Sequence, residues 1–250
     1  RKEAPVCVID THAGAGVYEL ASGYAQQTGE YRDGIGRLWE RHDAPAALRP
    51  YLELVRRCNG AGPLRRYPGS PWIARALQRP QDRLLLCELH PSDYAALAEL
   101  FAGDRGVQCF REDGFRFCRG LLPPRERRGL ILMDPSYELG DEYRKVFAAV
   151  QEHWRRFPGG THALWYPLIE QSRIDELRRD FETSAIRDAL NLELLVHTRR
   201  GARRMYGCGM VIVNPPWTLA EEMQAVLPWL AACLAADGRG GHAVEQWVAE

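Results

Sequence analysis

Gly129-Leu-Ile-Leu-Met-Asp-Pro-Ser-Tyr137 runs from a short apolar stretch straight into a carboxylate, a proline and an aromatic ring. A nearly continuous apolar run of this length, closed by a turn signal, is the pattern of a strand covered on both faces. Six other runs share it, at residues 6–10, 83–88, 106–110, 162–166, 190–197 and 209–213. Helical patterns fall between and after them, at 92–101, 142–157, 172–183 and 218–235. The alternation predicts an α/β chain built on a doubly wound, mostly parallel sheet of seven strands. In such sheets ligands bind outside the carboxyl ends of the strands, so the residues that end each run carry the functional reading.

The rhythm breaks once. An acidic residue ending the second strand of a dinucleotide-type unit falls about 20 residues after the glycine loop, yet Gly16 and Glu88 are 72 positions apart (88 − 16). Residues 21–68 are therefore expected to form a small helical insertion subdomain, with helices at 34–42 and 46–58, inside one domain spanning 1–250. The helix that normally follows the loop is displaced to 71–77. Ser70 is its expected N-cap and Pro71 its first residue, positions these residue types favour.

Three successive strand ends are acidic. The first run ends in Asp10-Thr-His-Ala-Gly-Ala-Gly16. Gly14 and Gly16 allow close approach of a ligand to the backbone. A nicotinamide fingerprint requires a small residue three positions after Gly16, and Glu19 stands there. An acidic strand end followed by G-x-G without that third position is the form seen in S-adenosylmethionine sites. Glu88 can accept hydrogen bonds from two ribose hydroxyls. Asp113, with Gly114, can accept from an adenine amine. His12 and Ser70 are placed to touch the methionine end. Each of these residues also has a plain reading as a turn, a cap or a surface charge; their order along one sheet edge favours the ligand.

Asp134-Pro-Ser-Tyr137 is close to the [Asp/Asn/Ser]-Pro-Pro-[Tyr/Phe/Trp] loop of amino-methyltransferases. An exocyclic adenine amine is a poor nucleophile, because its lone pair is delocalised into the ring. Accepting its hydrogens on the Asp134 carboxylate and the Pro135 carbonyl favours a tetrahedral nitrogen, and Asp134 is the candidate proton acceptor. Tyr137 is the expected stacking platform for an extruded base. Asn214-Pro-Pro-Trp217 fits the same consensus more closely. It is read as structural, since it follows the seventh strand beyond the switch point, with Trp217 expected to pack beneath the last helix.

Bulk composition constrains the class. Hydrophobic residues make up 46% and charged residues 26% of the 250, ordinary for a globular protein. No apolar run reaches the length of a membrane span, and no signal peptide is visible. Seven cysteines are scattered without a C-x-x-C pair, which points to reduced thiols in the cytoplasm and to no metal site. Net charge is zero, so any nucleic-acid partner must be met by local clusters. Three are candidates: Arg56, Arg57, Arg65 and Arg66; Arg125, Arg127 and Arg128; and Arg199, Arg200, Arg203 and Arg204.

Together these strings resemble the bacterial 23S rRNA adenine-N6 methyltransferases of the RlmJ type. The carriers are Asp10 to Gly16, Tyr67-Pro-Gly-Ser-Pro71, Glu88-Leu-His-Pro-Ser-Asp-Tyr94, Glu112-Asp-Gly114, Arg128 to Pro135, Leu164-Trp-Tyr-Pro167 and Asn214 to Trp217. The resemblance implies a Rossmann-like S-adenosylmethionine-dependent methyltransferase with a helical subdomain inserted after the first strand. It implies cofactor contacts at His12, Ser70, Glu88, Asp113 and Gly114, and catalysis by Asp134. It implies 23S rRNA, protein-free or in early assembly, as substrate, with a monomer acting and no membrane involved. Two departures stand out. The family's N-terminal segment, with a Lys-His pair near the cofactor, is expected to be lacking here. Ser136 replaces the second loop proline, which loosens the loop and leaves its acceptors in place. Other substrates with a planar amine, DNA adenine or a protein glutamine, share the loop chemistry, and a non-catalytic RNA-binding module on the same fold is the alternative of a different class.

Overall fold

The computed structural model describes residues 3–137, 142–197, 205–235 and 238–250. In chain order the first elements are β1 (Cys7–Asp10), β2 (Val17–Glu19), α1 (Gly23–Thr28), α2 (Glu30–Asp33), α3 (Ile35–Leu38), α4 (Arg49–Asn59) and β3 (Arg66–Pro68). The centre follows with α5 (Ser70–Leu77), β4 (Arg83–Cys87), α6 (Pro91–Leu100), β5 (Val107–Phe110), α7 (Gly114–Leu121) and β6 (Gly129–Met133). The last part holds α8 (Glu142–Arg156), β7 (Thr161–Leu168), α9 (Gln171–Thr183), β8 (Ala189–Leu195), β9 (Gly207–Val213), α10 (Leu219–Leu234) and β10 (Gly241–Val248).

Eight strands form one sheet in the order β10-β8-β9-β7-β6-β1-β4-β5. Pairings among β5, β4, β1, β6 and β7 are all parallel, while β9 runs against both β7 and β8. This is a Rossmann-like sheet whose chain turns back between β1 and β6. The seven expected runs all coincide with strands. An eighth, β10, was not expected; it adds antiparallel to β8 at the edge, and most of its residues are half-buried or exposed. The eight-residue helix α7 was also not expected, since glycines occupy both Gly114 and Gly120.

The segment after Gly16 is carried on a two-stranded ribbon. β2 pairs antiparallel with β3, with Val17 opposite Pro68 and Glu19 opposite Arg66. Four helices lie between these strands: α1 and α2 come before residue 34, α3 is a shorter form of the helix expected at 34–42, and α4 falls where the helix at 46–58 was expected. Ile35, Leu38, Leu52 and Val55 pack with Val226 of α10. The other face of the sheet buries Ile9, Leu85, Ile131, Leu164 and Tyr166 against Cys118, Val146, Ile174, Leu177 and Phe181 of α7, α8 and α9.

Tyr166 ties three strands together. Its ring lies over Gly209 of β9, where an added Cβ would come within 2.2 Å of it. Its hydroxyl reaches β8, 2.8 Å from both Asn191 Oδ1 and Glu193 Oε1. Gly209→Ala is therefore expected to lower unfolding free energy by about 2 kcal/mol. A thermal melt should show a midpoint roughly 4–8 °C lower; an unchanged midpoint would show that the Tyr166 ring has room to move.

Candidate active site

The site lies at the carboxyl edge, where β1 and β6 adjoin with Asp10 opposite Leu132, the switch point at which such sheets bind ligands. The loop after β1 is held by both neighbouring strands. Thr11 N donates to Leu132 O (3.0 Å) and Ala13 N to Cys87 O (2.8 Å). Gly14 adopts φ +59° and Gly16 φ +80°, conformations that glycine takes without strain. Gly114 packs so closely that a Cβ there would stand 1.8 Å from Thr11 O. Loop 11–16 and the start of α7 thus meet backbone to backbone.

Asp10 is 2% exposed. Ser70 Oγ donates to its Oδ2 (2.6 Å) and His12 N to its Oδ1 (3.2 Å). The expected cap geometry at Ser70 is corrected here: α5 starts at Ser70 with Gly69 as N-cap and without a side-chain cap bond, because the hydroxyl is taken by Asp10. Burial pushes the Asp10 carboxyl up to about 6, against the pull of the Ser70 and His12 hydrogen bonds. A raised carboxyl binds its proton more tightly when folded, so this group's contribution to stability falls as pH rises from about 4 through about 6.

Glu88 uses both oxygens on backbone, accepting from Gly14 N (2.8 Å) and His90 N (2.7 Å). Each oxygen retains a lone pair for a further donor. Asp113 is exposed and caps α7, accepting from Arg116 N at 2.8 Å with Oδ1. His12 packs edge-on against Phe115, centroids 4.7 Å apart, and burial lowers its pKa to about 4. It is therefore neutral near pH 7. The Thr11 hydroxyl donates to Leu132 O (3.1 Å), so His12 Nδ1–H is the donor to Thr11 Oγ1 (2.8 Å). That tautomer leaves Nε2 as an acceptor.

Asp134 directly follows β6, beside this loop. Although the residue is exposed, the protein around its carboxyl desolvates it enough to raise the pKa to about 6. Pro135 is buried and Ser136 exposed. Tyr137 has φ +53°; its hydroxyl donates to Trp165 O (2.8 Å) and its ring packs 4.8 Å from Tyr143. Tyr143 in turn donates to Pro167 O (2.6 Å). Both hydroxyls bond β7 carbonyls past Leu164, the last β7 residue paired with β6.

Asn214-Pro-Pro-Trp217 is far from this edge. β9 is antiparallel, and Val213 pairs with His162 near the start of β7. The loop therefore leaves the sheet at its amino edge. Trp217 is 91% exposed, which corrects the packing expected for it. It precedes the first turn of α10, whose apolar contacts start at Leu219. Of the arginine clusters, Arg125 and Arg128 also lie at the amino edge, before β6. Arg56 bonds the Trp39 and Arg41 carbonyls, and Arg57, Arg65 and Arg66 are exposed on the insertion. Arg199, Arg200, Arg203 and Arg204 lie outside the described residues. An apolar groove of about 620 Å³ beneath α5 touches Asp10 and Ser70 at one end. It runs along the sheet face toward Arg128, away from Glu88 and Asp113.

Sequence reasoning missed Tyr18. Its hydroxyl stands where a Cβ on Gly14 would be, 2.1 Å from the ideal position, and the residue is 43% exposed. Only the β2–β3 pairing brings it there. Gly14→Ala is expected to weaken binding of S-adenosylmethionine at least tenfold by calorimetry, through strain at positive φ and collision with Tyr18. Adding Tyr18→Phe should recover part of the loss; no recovery would leave backbone strain as the whole cause.

A family model described as "Ribosomal RNA large subunit methyltransferase D, RlmJ" matches residues 3–249. Ribosomal RNA large subunit methyltransferase J of Escherichia coli (strain K12) is 45% identical over 247 residues, covering 99% of this chain and 88% of that protein. The protein of the same name from Haemophilus influenzae is 44% identical over 248 residues, with the same coverage. The crystal structure of protein LPL1258 from Legionella pneumophila is 33% identical, with a TM-score of 0.90, covering 98% of this chain and 90% of that one.

Proposed function

The chain belongs to the RlmJ family of large-subunit ribosomal RNA methyltransferases, and from that membership we propose that it methylates the exocyclic N6 amine of an adenine in 23S rRNA. The observation that carries the adenine reading is Asp134, a carboxylate with a raised pKa at the end of β6, next to the glycine loop at the switch point. The RNA is presented protein-free or in early assembly, to a monomer.

The residues of the loop edge fit S-adenosylmethionine. Gly14 and Gly114 leave no space for a side chain, because the Tyr18 hydroxyl and the Thr11 carbonyl stand there, and this close packing sets the path of the loop that would hold the ligand. Glu88 holds the loop and keeps acceptor capacity for ribose hydroxyls. Asp113 keeps Oδ2 for an adenine amine. Neutral His12 offers Nε2 as an acceptor, and the Asp10–Ser70 pair fixes the floor between β1 and α5. When bound, the cofactor supplies a methyl group on a sulfonium, open to in-line displacement.

The protein's task is then positioning. Asp134 and the Pro135 carbonyl accept the two amine hydrogens, turning the nitrogen lone pair out of the ring. Tyr137 supplies the aromatic wall for the extruded base, its hydroxyl fixed on β7. As the new N–C bond forms, the amine sheds one proton, and Asp134 is the nearest base in the loop.

The purified chain should transfer labelled methyl from S-adenosylmethionine to protein-free 23S rRNA, and Asp134→Ala should lower the rate at least a hundredfold. Full activity in that variant, or preferential transfer to DNA or to a protein glutamine, would overturn this reading. Because Asp134 must be ionised, kcat/KM should fall tenfold per pH unit below about pH 6 and level off above about pH 7. A profile flat down to pH 5 would exclude Asp134 as the proton acceptor.

A further inference from the structure

Two sequence features play no part in the methyl-transfer site, and the fold places both on the opposite edge of the sheet. One is Asn214-Pro-Pro-Trp217; the other is the arginine run before β6. Asn214 adopts φ +51° and is pinned three ways: its Nδ2 donates to Pro158 O (2.6 Å) and Gly160 O (2.7 Å), and its carbonyl accepts from Thr161 Oγ1 (3.0 Å). Two prolines follow, each with a fixed φ. Trp217 is thus held out on a stiff support, with 91% of its surface in water. A ring held in water on a rigid support has both its apolar faces open to stacking.

The surroundings carry both signs: Glu221 and Glu222 are exposed in the first turn of α10, and arginines line the neighbouring loops. Pro158 follows α8, whose last residues Arg155 and Arg156 are exposed. Phe157 packs against Gly129, with its ring 3.3 Å from where a Cβ would lie. That contact brings the exposed Arg127 beside the same edge. Arg156 is paired with Glu152 (3.4 Å) and Arg125 with Glu126 (3.0 Å). Arg127 and Arg155 have no carboxylate partner among the described residues. An exposed aromatic plate on an edge that also carries unneutralised guanidiniums matches single-stranded RNA, which offers a base to stack and phosphates on either side.

Resting on the RNA reading above, we propose that this amino edge is a second contact for the substrate RNA, with Trp217 stacking on an unpaired base and Arg127 and Arg155 meeting its flanking phosphates. The two contacts lie on opposite sides of the sheet, separated by the five residues of β6, about 17 Å at about 3.3 Å each. A long RNA reaches both; an oligonucleotide too short to span the sheet reaches only Asp134.

Methyl transfer to protein-free 23S rRNA by the wild-type chain, Trp217→Ala, Trp217→Phe and Arg127→Ala with Arg155→Ala tests this. Trp217→Ala should raise KM for the RNA about five- to tenfold, with kcat at saturating RNA and the affinity for S-adenosylmethionine unchanged. Trp217→Phe keeps a ring and should restore most of the loss. The double arginine variant should flatten the slope of log affinity against log salt by about one to two. An unchanged RNA KM in Trp217→Ala overturns the proposal, including the case where that variant instead loses a protein partner. If the wild-type chain methylates no RNA, the functional reading fails separately. Filter binding of the same RNA to wild type and Trp217→Ala then decides the contact, and equal affinities overturn it.

Discussion

Asp10 is a carboxylate taken almost wholly out of water at the point where the chain leaves its first strand. Such burial is unfavourable unless hydrogen bonds replace the lost solvent. Here the donors come from two distant parts of the sequence, Ser70 of α5 and the amide of His12. Satisfying this one group fixes where α5 begins, and so where the insertion must end. It also sets the path of the glycine loop, which the amide bonds to Leu132 and Cys87 continue along both neighbours. The approach of Gly114 to Thr11 carries the same constraint on to the third strand end.

From that anchor the edge divides its work. The β1, β4 and β5 ends present backbone and carboxylates suited to binding a cofactor. The β6 end presents one carboxylate, Asp134, that accepts no hydrogen bond among the described residues and whose raised pKa suits taking a proton. The loop after it is docked on β7 by two tyrosine hydroxyls, so the loosening expected from Ser136 acts on a segment braced from the far side. Neutral His12 adds a polar wall without a positive charge that would repel a sulfonium.

Much of this was legible in the sequence because it rests on local patterns. Strands buried on both faces read as apolar runs, whether they pair in parallel or, like β9, antiparallel, and all seven were visible. The acidic strand ends were equally visible, since each lies within three residues of the end of its run. What escaped depends on partners distant in sequence. β10 is mostly half-buried or exposed at the sheet edge, so no apolar run marks it locally as part of the sheet. α7 was hidden by its glycines, one of which is required by the Thr11 carbonyl. Ser70 has the residue type of a cap, but a carboxylate 60 positions away claims its hydroxyl. Trp217 was given a buried place by its apolar character, whereas the direction of β9 puts it at the opposite edge in solvent.

The β2–β3 ribbon has a consequence of another kind. Its strands leave the sheet side by side and return side by side, Glu19 against Arg66, with Gly69 N bonded to Gly16 O at the base (2.9 Å). Everything between Glu19 and Arg66 hangs from a closed stem, so its length is invisible to the register of the eight main strands. A tight turn could join the stem directly, or another module could be grafted there, without moving Asp10, Glu88 or Asp134. The penalty would fall on α10, whose Val226 face would lose its cover. The fold thus contains a socket at which one module can be exchanged for another while the sheet edge beneath stays as it is.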